Sequence, residues 1–190
     1  MARPKAFDED RALDAAMRAF WATGYEATST QDLCAATGLR RSSIYNTFTS
    51  KRDLYEAALD RYMADKTAGL VALLEEDRPL RDKVRDMMWR VVDPGPGDPV
   101  GCLVVTSTVE LAPQDPGIAA RLRRDQDRRL EALRAAIDAG RRSGEVDRGR
   151  DPAALAHFVV AAISGMQVAA YGGADRATLE AIARTALTAL

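Results

Sequence analysis

The chain is predicted to be all-α. Apolar residues recur at three- and four-residue steps along nearly its whole length, β-branched alternation is nearly absent, and Ala, Leu, Arg and Glu are abundant. At 190 residues it is long enough for one large unit, or for a small unit joined to a larger one. About nine helices are expected.

Asp8 is the expected N-cap of the first helix, which carries Leu13, Ala16, Met17, Phe20 and Trp21 on one face before Gly24 stops it. A second helix starts at Ser29, with Asp32 three residues on as capping-box partner. It carries Leu33 and the small Cys34, Ala35 and Ala36, and it ends at Gly38. The third runs from Arg41 to Phe48, held to its own core by Ile44 and Phe48. Ser50 and Asp53 repeat the capping pattern and launch a long fourth helix through Leu54, Ala58, Leu70, Leu73 and Leu74.

Pro79 opens a fifth helix with an apolar face of Leu80, Val84, Met87, Met88 and Val91. The run Asp93-Pro94-Gly95-Pro96-Gly97-Asp98-Pro99 breaks it, and is read as a stiff loop within a domain in preference to a domain linker. Residues 101–111 form a short apolar segment. Asp115-Pro116 and Asp151-Pro152 are cap-proline pairs opening two further helices, the first with Ile118, Leu122, Leu130, Leu133 and Ile137 buried. A last helix spans about 177–190. The mixed-sign run from Arg121 to Arg129 is read as a solvated face laced with ion pairs.

The formal net charge of -1 excludes an RNA-coating or histone-like protein, so any nucleic-acid contact must be local. Cys34 and Cys102 lack metal-ligand spacing and are not expected to pair. No apolar run is seen to approach the ~20 residues of a membrane span, and Met1-Ala2-Arg3-Pro4-Lys5 leads into acid, not an apolar signal core. A soluble cytoplasmic protein with no membrane partner is expected. His157 has no acidic neighbour in sequence to build a relay or a metal site, and is expected to be buried or at an interface. No cofactor or metal is expected.

The segment from Gly38 to Lys51 concentrates the chemistry. A support helix, a tight turn and a short polar helix have the lengths of a helix-turn-helix. Its acid-free cationic run, Arg40, Arg41, Lys51 and Arg52, suits phosphates, while Ser42, Ser43, Tyr45 and Asn46 offer hydrogen-bonding groups. Generic helical turns share this spacing, and solvated surface residues are the bland alternative.

Gly24-Tyr25, Thr28-Ser29-Thr30, Asp32-Leu33 and Gly38-Leu39, followed by Ser43-Ile44-Tyr45, Phe48, Ser50-Lys51 and Leu54, resemble the amino-terminal signature of TetR-type transcriptional regulators. Gly101-Cys102-Leu103-Val104-Val105, Glu110-Leu111-Ala112 and Asp115-Pro116 resemble a pattern of one group of that family's regulatory domains. The resemblance implies a three-helix DNA-binding head over 1–53 and a helical ligand-binding and dimerisation domain over 54–190. It implies a homodimer on a palindromic double-stranded operator, usually a repressor released by a small-molecule effector.

By position, the resemblance carries phosphate or groove contacts to Thr30, Ser43, Tyr45 and Lys51, and makes Gln31, Arg41, Ser42 and Asn46 candidates for base edges. Arg41 has the donors for guanine, and Asn46 or Gln31 the pairing for adenine. Arg40 stands where a small capping residue is usual, and Ser42 where Gly, Ala or Pro is frequent. Arg40 is therefore expected to give up a cap in exchange for reaching a flanking phosphate.

An effector pocket is expected among Met87, Met88, Trp89, Thr108, Phe158, Met166, Gln167 and Tyr171, a mix suited to an apolar or aromatic ligand, although helical spacing favours plain core for most of them. Ala154, Ala161, Ala162, Gly165, Leu179, Ile182, Ala186 and Leu190 are expected at a four-helix dimer interface. The competing class is a helical small-molecule-binding protein or enzyme with an incidental helix-turn-helix. It lacks a visible nucleophile, paired carboxylates or phosphate-binding loop.

Overall fold

The computed structural model describes residues 9–190, so the Asp8 cap lies outside the described residues. Among these residues the chain forms nine helices and no strand. They are α1 Glu9–Thr23, α2 Thr30–Thr37, α3 Arg41–Phe48, α4 Lys51–Glu75, α5 Leu80–Val92, α6 Leu103–Glu110, α7 Pro116–Ser143, α8 Pro152–Tyr171 and α9 Arg176–Leu187.

The caps are the expected ones where polar chemistry decides. Ser29 and Asp32 close a full capping box on α2, and Gly38 ends that helix at φ 69°, a conformation that glycine reaches without a Cβ penalty. The pair starting α4 differs from the expected box. The Ser50 hydroxyl accepts from the Asp53 amide at 3.0 Å, but the Ser50 amide goes to the Phe48 carbonyl at 2.5 Å. With Thr49 at φ 59°, ψ -47°, this is a γ-turn of the rare positive-φ kind, so α3 and α4 are joined by only Thr49 and Ser50, the first of them strained.

Two cores organise the helices. One gathers Phe20, Trp21, Leu33, Ile44, Leu54, Tyr55, Leu59 and Tyr62 with Leu103, Ile118 and Leu122. The other gathers Leu70, Leu73, Val84, Met88, Leu133, Ile137, Val159, Met166, Leu179 and Ala183. The long helices α4 and α7 supply both cores, and the head formed by α1–α3 packs on α4 and α6. Aromatic edge contacts tie the head core together, with Phe20 and Tyr55 centroids 5.0 Å apart and Tyr25 and Tyr55 4.8 Å apart.

The loop after α5 joins it to α6 and is pinned at its start and its middle. Arg176 pairs bidentately with Asp93 at 2.9 and 3.0 Å, and Arg18 of α1 bonds the Gly97 carbonyl at 2.7 Å. One expectation is overturned. α8 is 20 residues long with no Asp, Glu, Lys or Arg, so it is long and apolar enough to cross a membrane by composition alone. Alanine, valine and isoleucine spread around the whole helix hide that run from a reading of one face.

Candidate nucleic-acid interface and adjoining cavities

Ile44 is buried beneath α3, which turns the opposite side of that helix outward. Arg40, Arg41, Ser42 and Asn46 are exposed there, together with Gln31 in the first turn of α2, while Thr30, Ser43, Tyr45 and Lys51 are half-buried around them. The Tyr45 and Thr30 hydroxyls share a 2.8 Å hydrogen bond that fixes α3 against α2. Arg41 lies over the Tyr45 ring, 5.6 Å from its centroid.

Arg40 holds the N-cap position of α3 in extended backbone and makes no side-chain cap, as its departure from a small residue predicts. Lys51 sits at the start of α4, where a cation opposes the helix dipole. Its ammonium lies 4.3 Å from the Tyr25 ring centroid, and the ring's negative face offsets that placement. Tyr25 as this support escaped sequence reasoning, because the two residues are 26 positions apart.

Arg52 does not join this surface. It bonds Glu56 at 2.7 Å and pairs with Asp115, the N-cap of α7. Partial burial opposes its charge, but those two carboxylates outweigh it and its pKa is raised. The Ile118 amide, with Arg52 behind it, holds Asp115 below the usual carboxylate range despite some desolvation. Arg52 therefore belongs to the junction between head and body, and the cationic run available to phosphates ends at Lys51.

Two more contacts cross that junction. Glu110, at the end of α6, accepts the Tyr25 amide at 3.0 Å and the Glu26 amide at 2.7 Å. The Trp21 indole donates to the Gly101 carbonyl at 3.0 Å. Within the body, Arg121 of α7 reaches Glu56 of α4 at 2.7 Å and also pairs with Asp60. The mixed-sign run is thus not simply solvated: Asp125 is 1% exposed and accepts from Thr67 at 2.8 Å. The face Ile118, Leu122, Asp125 and Arg129 turns inward because these residues fall three and four apart.

Two cavities of about 490 and 370 Å³ lie beside α6. Trp21, Tyr62, Lys66, Met87, Arg90, Asp93 and Asp98 contribute to the larger, and Thr108, Asp125, His157 and Ser164 to the smaller. Cys102, Arg129, Ile163 and Gln167 line both. Cys102 also contacts Tyr62, whose hydroxyl is driven to higher pKa by burial and then by that thiol. The larger cavity meets the head directly, since Trp21 belongs to α1.

Residues 12–58 match the family described as "Bacterial regulatory proteins, tetR family", and residues 79–190 match "BetI-type transcriptional repressor, C-terminal". The chain belongs to the tetR family of bacterial regulatory proteins. This tetR-family chain is 35% identical over 188 residues to the HTH-type transcriptional repressor ComR of Escherichia coli (strain K12), covering 97% of this chain and 90% of that one. The HTH-type transcriptional regulator YezE of Bacillus subtilis (strain 168) is 34% identical, over 84% of each chain. A cysteine mutant of the TetR family transcriptional regulator CifR, complexed with 26bp double-strand operator DNA, superposes with TM-score 0.86 at 29% identity, over 99% of both chains.

The effector residues expected from sequence scatter in the tetR-family fold. Met87 lines the larger cavity, Thr108 the smaller and Gln167 both. Met88 and Met166 are fully buried core, Trp89 packs against that core, and Phe158 and Tyr171 are 42% and 59% exposed. Helical period fixes a face but not what covers it, and the cavities draw on polar residues that the apolar pattern hides. The expected dimer residues also divide. Leu179 and Ala186 are 5% and 6% exposed in their own core, and Ala162, Ile182 and Leu190 pack beside it. Ala154, Ala161 and Gly165 are exposed and align with Phe158 and Val168 along one stripe of α8. His157 is exposed at the smaller cavity, not buried.

Proposed function

We propose that this chain is a ligand-responsive repressor that binds a palindromic operator as a homodimer. The observation that carries the reading is the outward face of α3. Arg40, Arg41, Ser42 and Asn46 stand exposed on a short helix whose opposite side is anchored by Ile44, with no acid from Leu33 through Arg52. Under this reading, residues 1–53 form the DNA-binding head and 54–190 the regulatory and dimerisation domain. Lys51, Ser43, Tyr45, Thr30 and Arg40 take phosphates, while Arg41, Ser42, Asn46 and Gln31 face base edges.

The α8 stripe Ala154, Phe158, Ala161, Gly165 and Val168 supplies the pairing surface, its small residues allowing close approach of a second copy. Two-fold pairing gives the heads the symmetry of a palindrome, whose half-sites lie about 34 Å apart along B-DNA. An effector in the cavities acts through α6, whose start borders them and whose Glu110 grips the head, so a shift of α6 changes the spacing of the two heads. The reading needs no catalytic step and places the protein in the cytoplasm. Operator binding by CifR in its complex with DNA supports it by likeness.

Selection of bound sequences from random DNA tests the reading. Enrichment of a palindrome by a protein that sediments as a dimer is expected. Recovery of no palindrome overturns it, and Gly165→Glu, placed on the open stripe, is expected to yield monomers that lose operator affinity.

A further inference from the structure

The cavity wall is electrostatically lopsided. The larger cavity is lined by the cations Lys66, Arg90 and Arg129 and by the acids Asp93 and Asp98. Both acids are committed to arginines outside the wall, Asp93 to Arg176 at 2.9 Å and Asp98 to Arg18 at 3.2 Å. In the smaller cavity, Asp125 is likewise engaged by Thr67 at 2.8 Å and by Arg128 at 3.4 Å. Among the described residues no carboxylate pairs with Lys66, Arg90 or Arg129. Lys66 instead rests over the Trp21 and Tyr62 rings, 4.7 and 5.4 Å from their centroids.

The partition between the two cavities adds an independent sign. Arg129 Nε and Gln167 Oε1 are buried with no hydrogen-bond partner, and both residues line both cavities. Leaving a buried polar atom unpaired is costly, more so for a charged group, so native proteins rarely keep such atoms without a use. An anion at Arg129 gains a guanidinium fork matched to a planar carboxylate, while a neighbouring donor satisfies Gln167. Trp21, Tyr62, Leu70, Met87 and Ile163 offer an apolar and aromatic wall to the rest of such a molecule.

We propose that the effector is an organic carboxylate with an apolar or aromatic body, its carboxylate held by Arg129 and Lys66 and its body lying against Trp21. This rests on the ligand-responsive reading above and replaces the purely apolar effector that the sequence favours. The carboxylate draws Lys66 from the Trp21 face, so occupancy reports directly to α1.

The test uses matched acid and alcohol pairs, octanoate against octanol and 4-phenylbutyrate against 4-phenylbutanol, with the full-length protein. Binding is read by titration calorimetry and by Trp fluorescence, and the same samples are assayed on a selected operator. At least one acid is expected to bind saturably and about tenfold or more tighter than its alcohol. Arg129→Gln and, separately, Lys66→Gln are expected to reduce that preference, with circular dichroism confirming that each variant folds. Acids that bind no better than alcohols, acids that bind neither saturably nor at all, or folded variants that keep the full preference would overturn the proposal. Operator binding that persists in those cases leaves the repressor reading standing, whereas a ligand-free protein that binds no operator removes that reading itself.

Discussion

The Glu110 carboxylate accepts the backbone amide of Tyr25 at 3.0 Å, joining the last turn of α6 to the turn between α1 and α2. Its second oxygen takes the Glu26 amide at 2.7 Å, so one side chain closes two donors that no helix serves. Gly24 makes room for it: at φ 85° it occupies the left-handed region, and a Cβ there would stand 2.9 Å from the carboxylate. Glu110→Ala strips both amides of their acceptor and is expected to lower stability by about 1–3 kcal/mol. Urea unfolding measures it, and an unchanged midpoint would show that the clamp contributes nothing.

Arg40 leaves the start of α3 without a side-chain cap. Arg40→Ser is expected to stabilise the folded head by about 1 kcal/mol, the usual worth of a good cap, while weakening operator binding and flattening its salt dependence. Thermal melts and DNA titrations at several salt concentrations separate the two effects. If affinity and salt slope both hold, Arg40 reaches no phosphate.

Lys51 and Arg41 are expected to behave differently on DNA. Lys51→Ala removes one phosphate contact, so affinity falls alike for all sequences and the slope of log K against log salt drops by about 0.9. Arg41→Ala is expected to relax preference at defined bases, costing about 1–3 kcal/mol on the selected operator and little on random DNA. Identical losses on both DNAs for Arg41→Ala would move that residue to the phosphate group.

Burial pushes the Tyr55 hydroxyl up to about 12, against the lowering effect of its 2.6 Å hydrogen bond with Ser107. The unfolded chain ionises this tyrosine near pH 10, whereas the folded chain keeps it neutral, so above pH 10 the unfolded state binds fewer protons. Stability is therefore present in full below pH 10 and falls as pH rises from about 10 to about 12. Tyr55→Phe is expected to be less stable at neutral pH and to show a shallower alkaline loss. Denaturant midpoints across pH 8–11 check this, and parallel profiles for the two proteins would assign the alkaline transition to other groups.

The α2, α4 and α7 starts were legible because they depend on local chemistry. Ser29 with Asp32, Gly38 at the αL stop and Asp115-Pro116 satisfy helix ends with groups a few residues away, which sequence spacing records directly. The strained turn at Thr49 was not legible, since a β-branched residue at positive φ is held there by packing of α3 and α4 on a shared core.

For the candidate site, sequence alone determined the reading helix, its inward Ile44, the uncapped Arg40 and the polar face that follows from a 3.6-residue period. Tertiary structure decided which charges are free. Arg52 and Lys51 are neighbours in sequence, yet one is spent on Glu56 and Asp115 while the other lies over Tyr25 beside the reading helix. It also decided that Met88 and Leu179 are core, while Arg129 borders a cavity. A helical pattern specifies which residues share a face. What meets that face depends on helices brought in from 50 or more residues away, as with Thr67 and Asp125, and only the packed chain contains that information.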